Sequence, residues 1–281
     1  MSRGYRSHSP LLAGPIWAWQ VQQSVDSLAS ATFGLNEAPR LVHRLDRTTS
    51  GVLVLARTQA AARHLTAAFA LHSAEAMAPG HASGVDARET EALAECALSK
   101  VYWALLQRAP TPRAGRVDVR MHRTSGGDGL DSVELDSGCE AALGSKRTVT
   151  EYTTICTDSK SGYAWCELRP LTGRKHQLRV VCAQSLGAPI VGDYKYGFGS
   201  PRQRQRAADG QQSTALHLHC YSITVPLPPT ETGRAMRLEA QLPAHMERSW
   251  SRLGWDAVPA TNKATVRRRR TISWCLSDSQ P

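Results

Sequence analysis

The sequence predicts an α+β domain. Short apolar or alternating runs bounded by Gly, Pro and polar residues recur along the chain, as strands do. Gln59 to His72 and Lys175 to Ser185 instead carry helical periodicity. Mixed strands with two helices packed on them indicate an α+β fold, and no internal repeat is visible.

Taken in order, Ser24 to Ala31 reads as a short helix, since Val25, Leu28 and Ala29 are spaced for one face. Leu41 to Ala56 reads as a loop followed by a buried strand at Val52-Leu53-Val54-Leu55. Gln59 to His72 places Ala61, Leu65, Ala68, Phe69 and His72 on one side of a helix. Ser73 to Ser99 has little apolar periodicity and reads as an inserted loop. Lys100 to Leu106 alternates as a strand, and Arg123 to Lys146 reads as a Gly/Ser/Asp-rich excursion. Val149 to Cys156 and Tyr163 to Arg169 make a strand pair. Lys175 to Ser185 follows as a helix after Thr172-Gly173, then Gly199 to Ser213 as a polar loop, and Ala215 to Val225 as a strand stopped by Pro226.

With 281 residues and 41% hydrophobic content, the chain can build one sizeable core. Lys and Arg number 34 against 24 Asp and Glu, a formal charge of +10 that favours polyanionic partners through phosphate neutralisation. No apolar run approaches the length of about 20 residues that spans a bilayer, so no membrane insertion is expected. Seven scattered cysteines without a CxxC pair suit free thiols in a reducing compartment, not a disulfide framework or zinc site.

The chemistry centres on His43-Arg44-Leu45-Asp46-Arg47-Thr48-Thr49-Ser50-Gly51. One acid among cations, anchored by the apolar run that follows, suits a carboxylate kept ionised for nucleophilic or base work. In isolation such an Asp reads more simply as a turn cap or surface ion pair. Four further segments change the weighing. Leu171 to Val180 reads Leu-Thr-Gly-Arg-Lys-His-Gln-Leu-Arg-Val, and Leu186 to Gly197 reads Leu-Gly-Ala-Pro-Ile-Val-Gly-Asp-Tyr-Lys-Tyr-Gly. Lys100-Val101-Tyr102-Trp103 lies between these and Asp46, and Leu216-His217-Leu218-His219 lies beyond them. In that order the segments resemble the RluA-type pseudouridine synthases, and within them the animal mitochondrial branch, over roughly Val21 to Trp255.

The resemblance implies a curved, mainly antiparallel sheet with flanking helices and a central catalytic cleft. It implies isomerisation of uridine to pseudouridine in structured RNA without a cofactor, since no net redox or group transfer occurs. Asp46 takes the role of the acid that meets the sugar, Tyr102 that of the tyrosine stacking on the uracil, and Arg179 that of the arginine pairing with the acid. Arg44 matches the arginine entering the stack that the extruded nucleotide leaves. Arg174, His176 and Gln177 line the substrate cleft, the last two as supports of its wall. His217 and His219 alternate on a strand, but without a Cys, Asp or Glu at matching spacing they make no metal site. The implied substrate is ribosomal RNA, with transfer and messenger RNA as further targets. The implied compartment is the mitochondrial matrix, with cytoplasm or nucleus as the alternative, and a monomer is expected.

The domain expectation is residues 24–255 as the catalytic domain. Residues 1–23 form an irregular, transit-like N-terminus and residues 256–281 a basic disordered tail. Two departures from the family pattern bear on this. Only 45 residues precede Asp46, with no early strand carrying a Lys-Pro-Ala-Gly-like turn, so an unpaired sheet edge and reduced stability are expected. Val181 stands where a histidine is usual. Together they support the alternative of a catalytically impaired RNA-binding or ribosome-assembly protein with the same fold. A glycosidase would share the carboxylate logic but would need a second acid that the chain does not offer.

Overall fold

The computed structural model describes residues 25, 29, 39–77, 98–125, 131–136, 144–197, 215–227 and 235–255. The expectations for the early strand, the N-terminal segment, the polar loop 199–213 and the basic tail fall outside these residues, as do most of the helix at 24–31 and of the insertion at 73–99.

The framework is an antiparallel sheet with one parallel pairing. Its seven consecutive strands run β10(Ala235–Glu239), β9(Leu218–Pro226), β4(Ser99–Leu106), β8(Ala164–Pro170), β7(Lys146–Thr157), β5(Ala114–Ser125) and β6(Asp131–Leu135). A further strand, β2(Ser50–Gly51), lies parallel against β9, opposing Ser50 to His219 and Gly51 to Cys220. A small pair, β1(Arg40–Leu41) with β3(Leu55–Ala56), brackets the Asp46 loop. Three helical elements accompany the sheet among the described residues: α1(Gln59–Glu75), the short α2(Gln177–Val180) continued by a π-helical turn (Val181–Ser185), and α3(Ala244–Arg252). None is long and apolar enough to cross a membrane.

β4 is the central strand and is buried on both faces, which its apolar composition allows. Val101, Trp103 and Leu105 point to one side, where Trp165, Met246 and Trp250 complete an aromatic core under α3. Trp165 meets both Trp103 and Trp250 edge to face, the arrangement that ring quadrupoles favour. Tyr102, Ala104 and Leu106 point to the opposite face, with Leu65, Ala68 and Phe69 of α1 packed over it. The functional cleft opens on this second face.

Three expectations need correction. Val52 to Leu55 is not a strand: β2 ends at Gly51 and β3 begins at Leu55. The Val54 N–H is instead taken by His43 Nε2 at 2.8 Å, so a side chain replaces a ladder partner. The excursion at 123–146 contains the end of β5 and all of β6, paired from Met121↔Leu135 to Ser125↔Asp131. Val117, Val119 and Met121, alternating with Arg116, Asp118 and Arg120, were the available strand signal. The helix at 175–185 is only one α-turn before it widens into the π-helical turn. It opens on His176, a non-glycine in the left-handed region (φ 54°).

The β2–β9 contact requires Gly51. Its φ is +114°, and a Cβ there would stand 2.2 Å from the Cys220 carbonyl oxygen. Gly51→Ala should therefore destabilise the fold by about 3 kcal/mol or more, through strain and backbone collision. Urea denaturation is the measurement, and an unchanged midpoint would contradict the packing described.

Candidate active site

The loop from His43 to Gly51 is held at several points. Asp46 C=O accepts the Thr49 N–H at 2.9 Å, closing a turn around the acid. Ser50 Oγ and His219 Nδ1 are hydrogen-bonded at 2.9 Å, and Val52 N–H donates to Cys220 C=O at 3.0 Å. His43 stacks on Phe69 of α1 with ring centroids 5.2 Å apart. The polar loop is thereby fixed to β9 on one side and to α1 on the other.

The cleft beneath this loop has a volume of about 300 Å³. Asp46, Arg44 and Thr49 line it from the loop, Lys100 and Tyr102 from β4, and Arg174 and Gln177 from the segment entering α2. Five of the seven residues singled out from the sequence thus meet in one cavity. Tyr102 is buried, and burial together with Cys220 and the nearby Asp46 pushes its phenol well above the ordinary range. It is therefore protonated at neutral pH. Among the described residues, none hydrogen-bonds the Asp46 carboxylate, while His176, Arg179 and Tyr102 lie within its electrostatic reach.

Arg179 departs from the sequence expectation. Its fork closes on Asp193, with Nε to Oδ2 at 2.8 Å and Nη2 to Oδ1 at 2.7 Å, and not on Asp46. Burial alone would lower the guanidinium pKa, and the Asp193 hydrogen bonds more than offset this, leaving it raised. Tyr194 and Tyr196 lie against the same guanidinium, 5.6 and 5.2 Å from its carbon to the ring centroids. Asp193 Oδ1 also accepts the Lys195 and Tyr196 N–H groups, so one carboxylate ties α2 to the turn that follows Gly192. Nothing at the sequence level singled out Asp193, although its place in the Gly-Asp-Tyr run was visible.

His176 and Gln177 are internally engaged. His176 Nδ1 is hydrogen-bonded to the Tyr196 hydroxyl at 2.7 Å, and burial lowers its pKa. Gln177 Oε1 accepts from the Thr172 hydroxyl and the Arg174 N–H, while Nε2 donates to Val149 C=O and Thr150 Oγ1. These four bonds fix the cleft wall at 172–174. Arg174 reaches across to Arg147 C=O at 3.4 Å, and its Nη2 lies 3.8 Å from the Met77 sulfur, joining that wall to the end of α1. Arg44 is exposed at the rim.

Sequence reading did not single out Lys100, His43 or Thr49 for the cleft. Lys100 is buried, with Nζ donating to Thr172 C=O at 3.3 Å. The Thr49 hydroxyl is buried and has no hydrogen-bond partner among the described residues. His217 and His219, the pair weighed as metal ligands, each have both ring nitrogens engaged within the protein. His217 bonds Ala215 C=O and Ser249 Oγ, and His219 bonds Ser50 Oγ and Ala240 C=O.

Asp193→Asn should leave a buried guanidinium without its counter-charge and cost about 3–5 kcal/mol, read as a lower urea midpoint. A variant as stable as the wild type would show that the pair contributes little.

Acid should weaken the fold above the range in which carboxylates titrate. Burial lowers His43, His72 and His217 to about 4, and the Lys100 charge adds to this for the first two. The unfolded chain takes up these protons near 6.5, so stability is full above that pH and is lost progressively as pH falls toward 4. Each histidine contributes a slope of up to about 1.4 kcal/mol per pH unit in that window. Melting temperatures should fall between pH 7 and pH 5, and a flat profile would contradict the burial of these rings in neutral form.

A model of the RNA pseudouridylate synthase family matches residues 3–184. The mitochondrial RNA pseudouridine synthase 4 of Arabidopsis thaliana is 33% identical over 270 residues, covering 83% of this chain and 54% of that protein. The mitochondrial pseudouridylate synthase RPUSD4 of Xenopus tropicalis is 31% identical over 257 residues, covering 83% of this chain and 71% of the relative. The chain spans about half the length of the plant relatives it matches. Among solved structures, human RNA pseudouridylate synthase domain containing 4 superposes with a TM-score of 0.56 at 26% identity, covering 82% of this chain and 81% of the other. The fold, the cleft and these matches agree: the chain belongs to the RluA-type RNA pseudouridylate synthase family.

Proposed function

We propose that this protein isomerises uridine to pseudouridine in structured RNA, without a cofactor and as a monomer, in the mitochondrial matrix. Ribosomal RNA is the proposed principal substrate, with transfer and messenger RNA as further targets. The observation that carries the reading is the meeting of an unclaimed carboxylate, Asp46, and a buried planar ring, Tyr102, in one cleft. The net charge of +10 supports a polyanionic substrate, and the mitochondrial names of the plant and animal relatives support the compartment.

In this reading the target nucleotide leaves its helix and its uracil lies on Tyr102, the usual hold on an extruded base. Arg44, exposed at the rim, fills the place the base vacates and offsets part of the few kcal/mol of lost stacking. Breaking the N1–C1′ bond develops positive charge on the sugar, and the Asp46 carboxylate meets it, either by bonding to C1′ or by taking the C2′ proton. The base turns and rejoins through C5. Arg179, held by Asp193, supplies a fixed positive field beside Asp46. His176, Gln177 and Arg174 hold the wall against which the base turns.

Asp46→Asn keeps the size of the side chain and removes the charge. With unmodified transcripts of mitochondrial ribosomal and transfer RNA, it should abolish pseudouridine formation while RNA binding stays within about tenfold. Pseudouridine formation by the variant at a rate near that of the wild type would remove Asp46 from the reaction.

A further inference from the structure

Lys100 is a cation that the fold buries without neutralising. It stands on β4 two residues before Tyr102, and both side chains line the cleft. The residue is 8% exposed, and its Nζ makes one hydrogen bond, 3.3 Å long, to the Thr172 carbonyl. The titratable groups that face it are His43 from the Asp46 loop, His72 from α1 and Cys220 from β9, with no described carboxylate paired to it. Enclosing an ammonium in this way costs several kcal/mol unless a partner arrives. A tether for Thr172 would not require it, because Gln177 and the Val149 N–H already hold that residue's hydroxyl. On the cleft side stands Gly173, where a Cβ would meet only Lys100 Nζ, at 4.0 Å. The glycine thus leaves the ammonium uncovered toward the cavity.

Resting on the pseudouridine synthase reading above, we propose that Lys100 is a catalytic residue for the uracil half of the reaction. It donates a hydrogen bond to an exocyclic oxygen of the target base and offsets the negative charge that the base acquires. When the N1–C1′ bond breaks, its electron pair stays with the base as a uracil anion, whose charge spreads over N1 and the two oxygens. Asp46 meets the opposite charge on the sugar. After the base turns, a C5 electron pair forms the new bond to C1′, the C5 proton leaves and N1 takes one up. Protons and electrons therefore balance, and Lys100 keeps its proton throughout. Residues two apart on a strand stand about 7 Å apart, so a uracil lying on Tyr102 has an oxygen within reach of the flexible lysine stem.

Burial lowers the Lys100 pKa to about 8, so the charge required for this role is lost as pH rises through that value. The test compares the full chain with its Lys100→Met variant on unmodified transcripts of mitochondrial ribosomal and transfer RNA. A second set of the same transcripts is made with 5-fluorouridine. The variant should keep its RNA Kd within about threefold and lose about 100-fold in kcat, the scale of one donor aimed at a developing anion. The wild type should show a fall in kcat/KM near pH 8 that the variant lacks. On 5-fluorouridine RNA the readout is single-turnover cleavage of the N1–C1′ bond, because fluorine takes the place of the C5 proton that the last step expels. The loss should shrink there, since fluorine itself stabilises the departing base anion. Its melting temperature should equal or exceed that of the wild type. Wild-type kcat in the variant overturns the proposal. So does a loss confined to Kd with a salt slope lower by about 0.7–0.9, which would put Lys100 on a phosphate. Equal losses on both RNAs with a lower melting temperature would make Lys100 structural and overturn it as well. A wild-type chain that forms no pseudouridine on any of the uridine transcripts overturns the underlying reading and this proposal with it.

Discussion

One edge of β9 serves two neighbours, and the site depends on that division. Its C-terminal half pairs with β10 from Ser222 to Pro226, which leaves His219 and Cys220 for Ser50 and Gly51. A loop carrying an acid among cations has little apolar surface of its own with which to dock. Backbone pairing supplies the docking instead, and backbone can approach so closely only where the incoming residue lacks a Cβ. His43 and His219, both neutral and both hydrogen-bonded, then fix the loop laterally. The position of Asp46 is consequently set by pairing with the sheet and not by the loop's own preferences.

The same strand that carries Tyr102 also anchors the opposite core. Alternate residues of β4 pack into the Trp103–Trp165–Trp250 cluster, so the strand is clamped from behind while its other face lines the cleft. A bulge lies where Val101 opposes Ser222 and Tyr102 opposes Cys220, leaving Tyr221 extra on β9. Bulges re-aim side chains, and here one falls at the residue proposed to hold the base. Tyr221 stacks on Trp103 with centroids 4.0 Å apart, which ties the displaced residue into the aromatic core. Packing on one face thus bears on geometry at the other.

Much of this was legible in the sequence wherever periodicity or motif was strong. The helix at Gln59, the strand at Lys100 and the pair at 149–169 fall where the apolar spacing put them, because those segments bury one or two faces continuously. Asp46, Tyr102, Arg44, Arg174 and Gln177 share a cleft, as the order of motifs implied. What was missed follows from non-local causes. Val52 to Val54 reads as a strand by composition, yet a histidine eleven residues earlier takes the Val54 N–H. The Arg179 partner could not be read from spacing, since Asp46 and Asp193 are both acids in recognisable motifs and only the folded chain decides between them. α3 was passed over although Met246 and Trp250 stand four apart, the spacing of one buried helical face.

The choice of Asp193 over Asp46 has a chemical consequence. An arginine forked on the reacting acid would keep it ionised, but it would also occupy both carboxylate oxygens and hold them away from a sugar. Placing the fork on Asp193 separates the two tasks. Asp193 fixes the buried guanidinium beside two tyrosine rings, while the Arg179 charge and Asp46 remain within electrostatic reach of each other. Asp46 thereby keeps lone pairs that no described side chain occupies beside a cation, which suits the role proposed for it against a charge formed transiently on the sugar. Lys100 stands in the same cavity with no carboxylate among the described residues paired to it. In the proposed reaction, which separates charge between a sugar and its uracil, the cleft would thus set an acid against one half of that charge and a cation against the other.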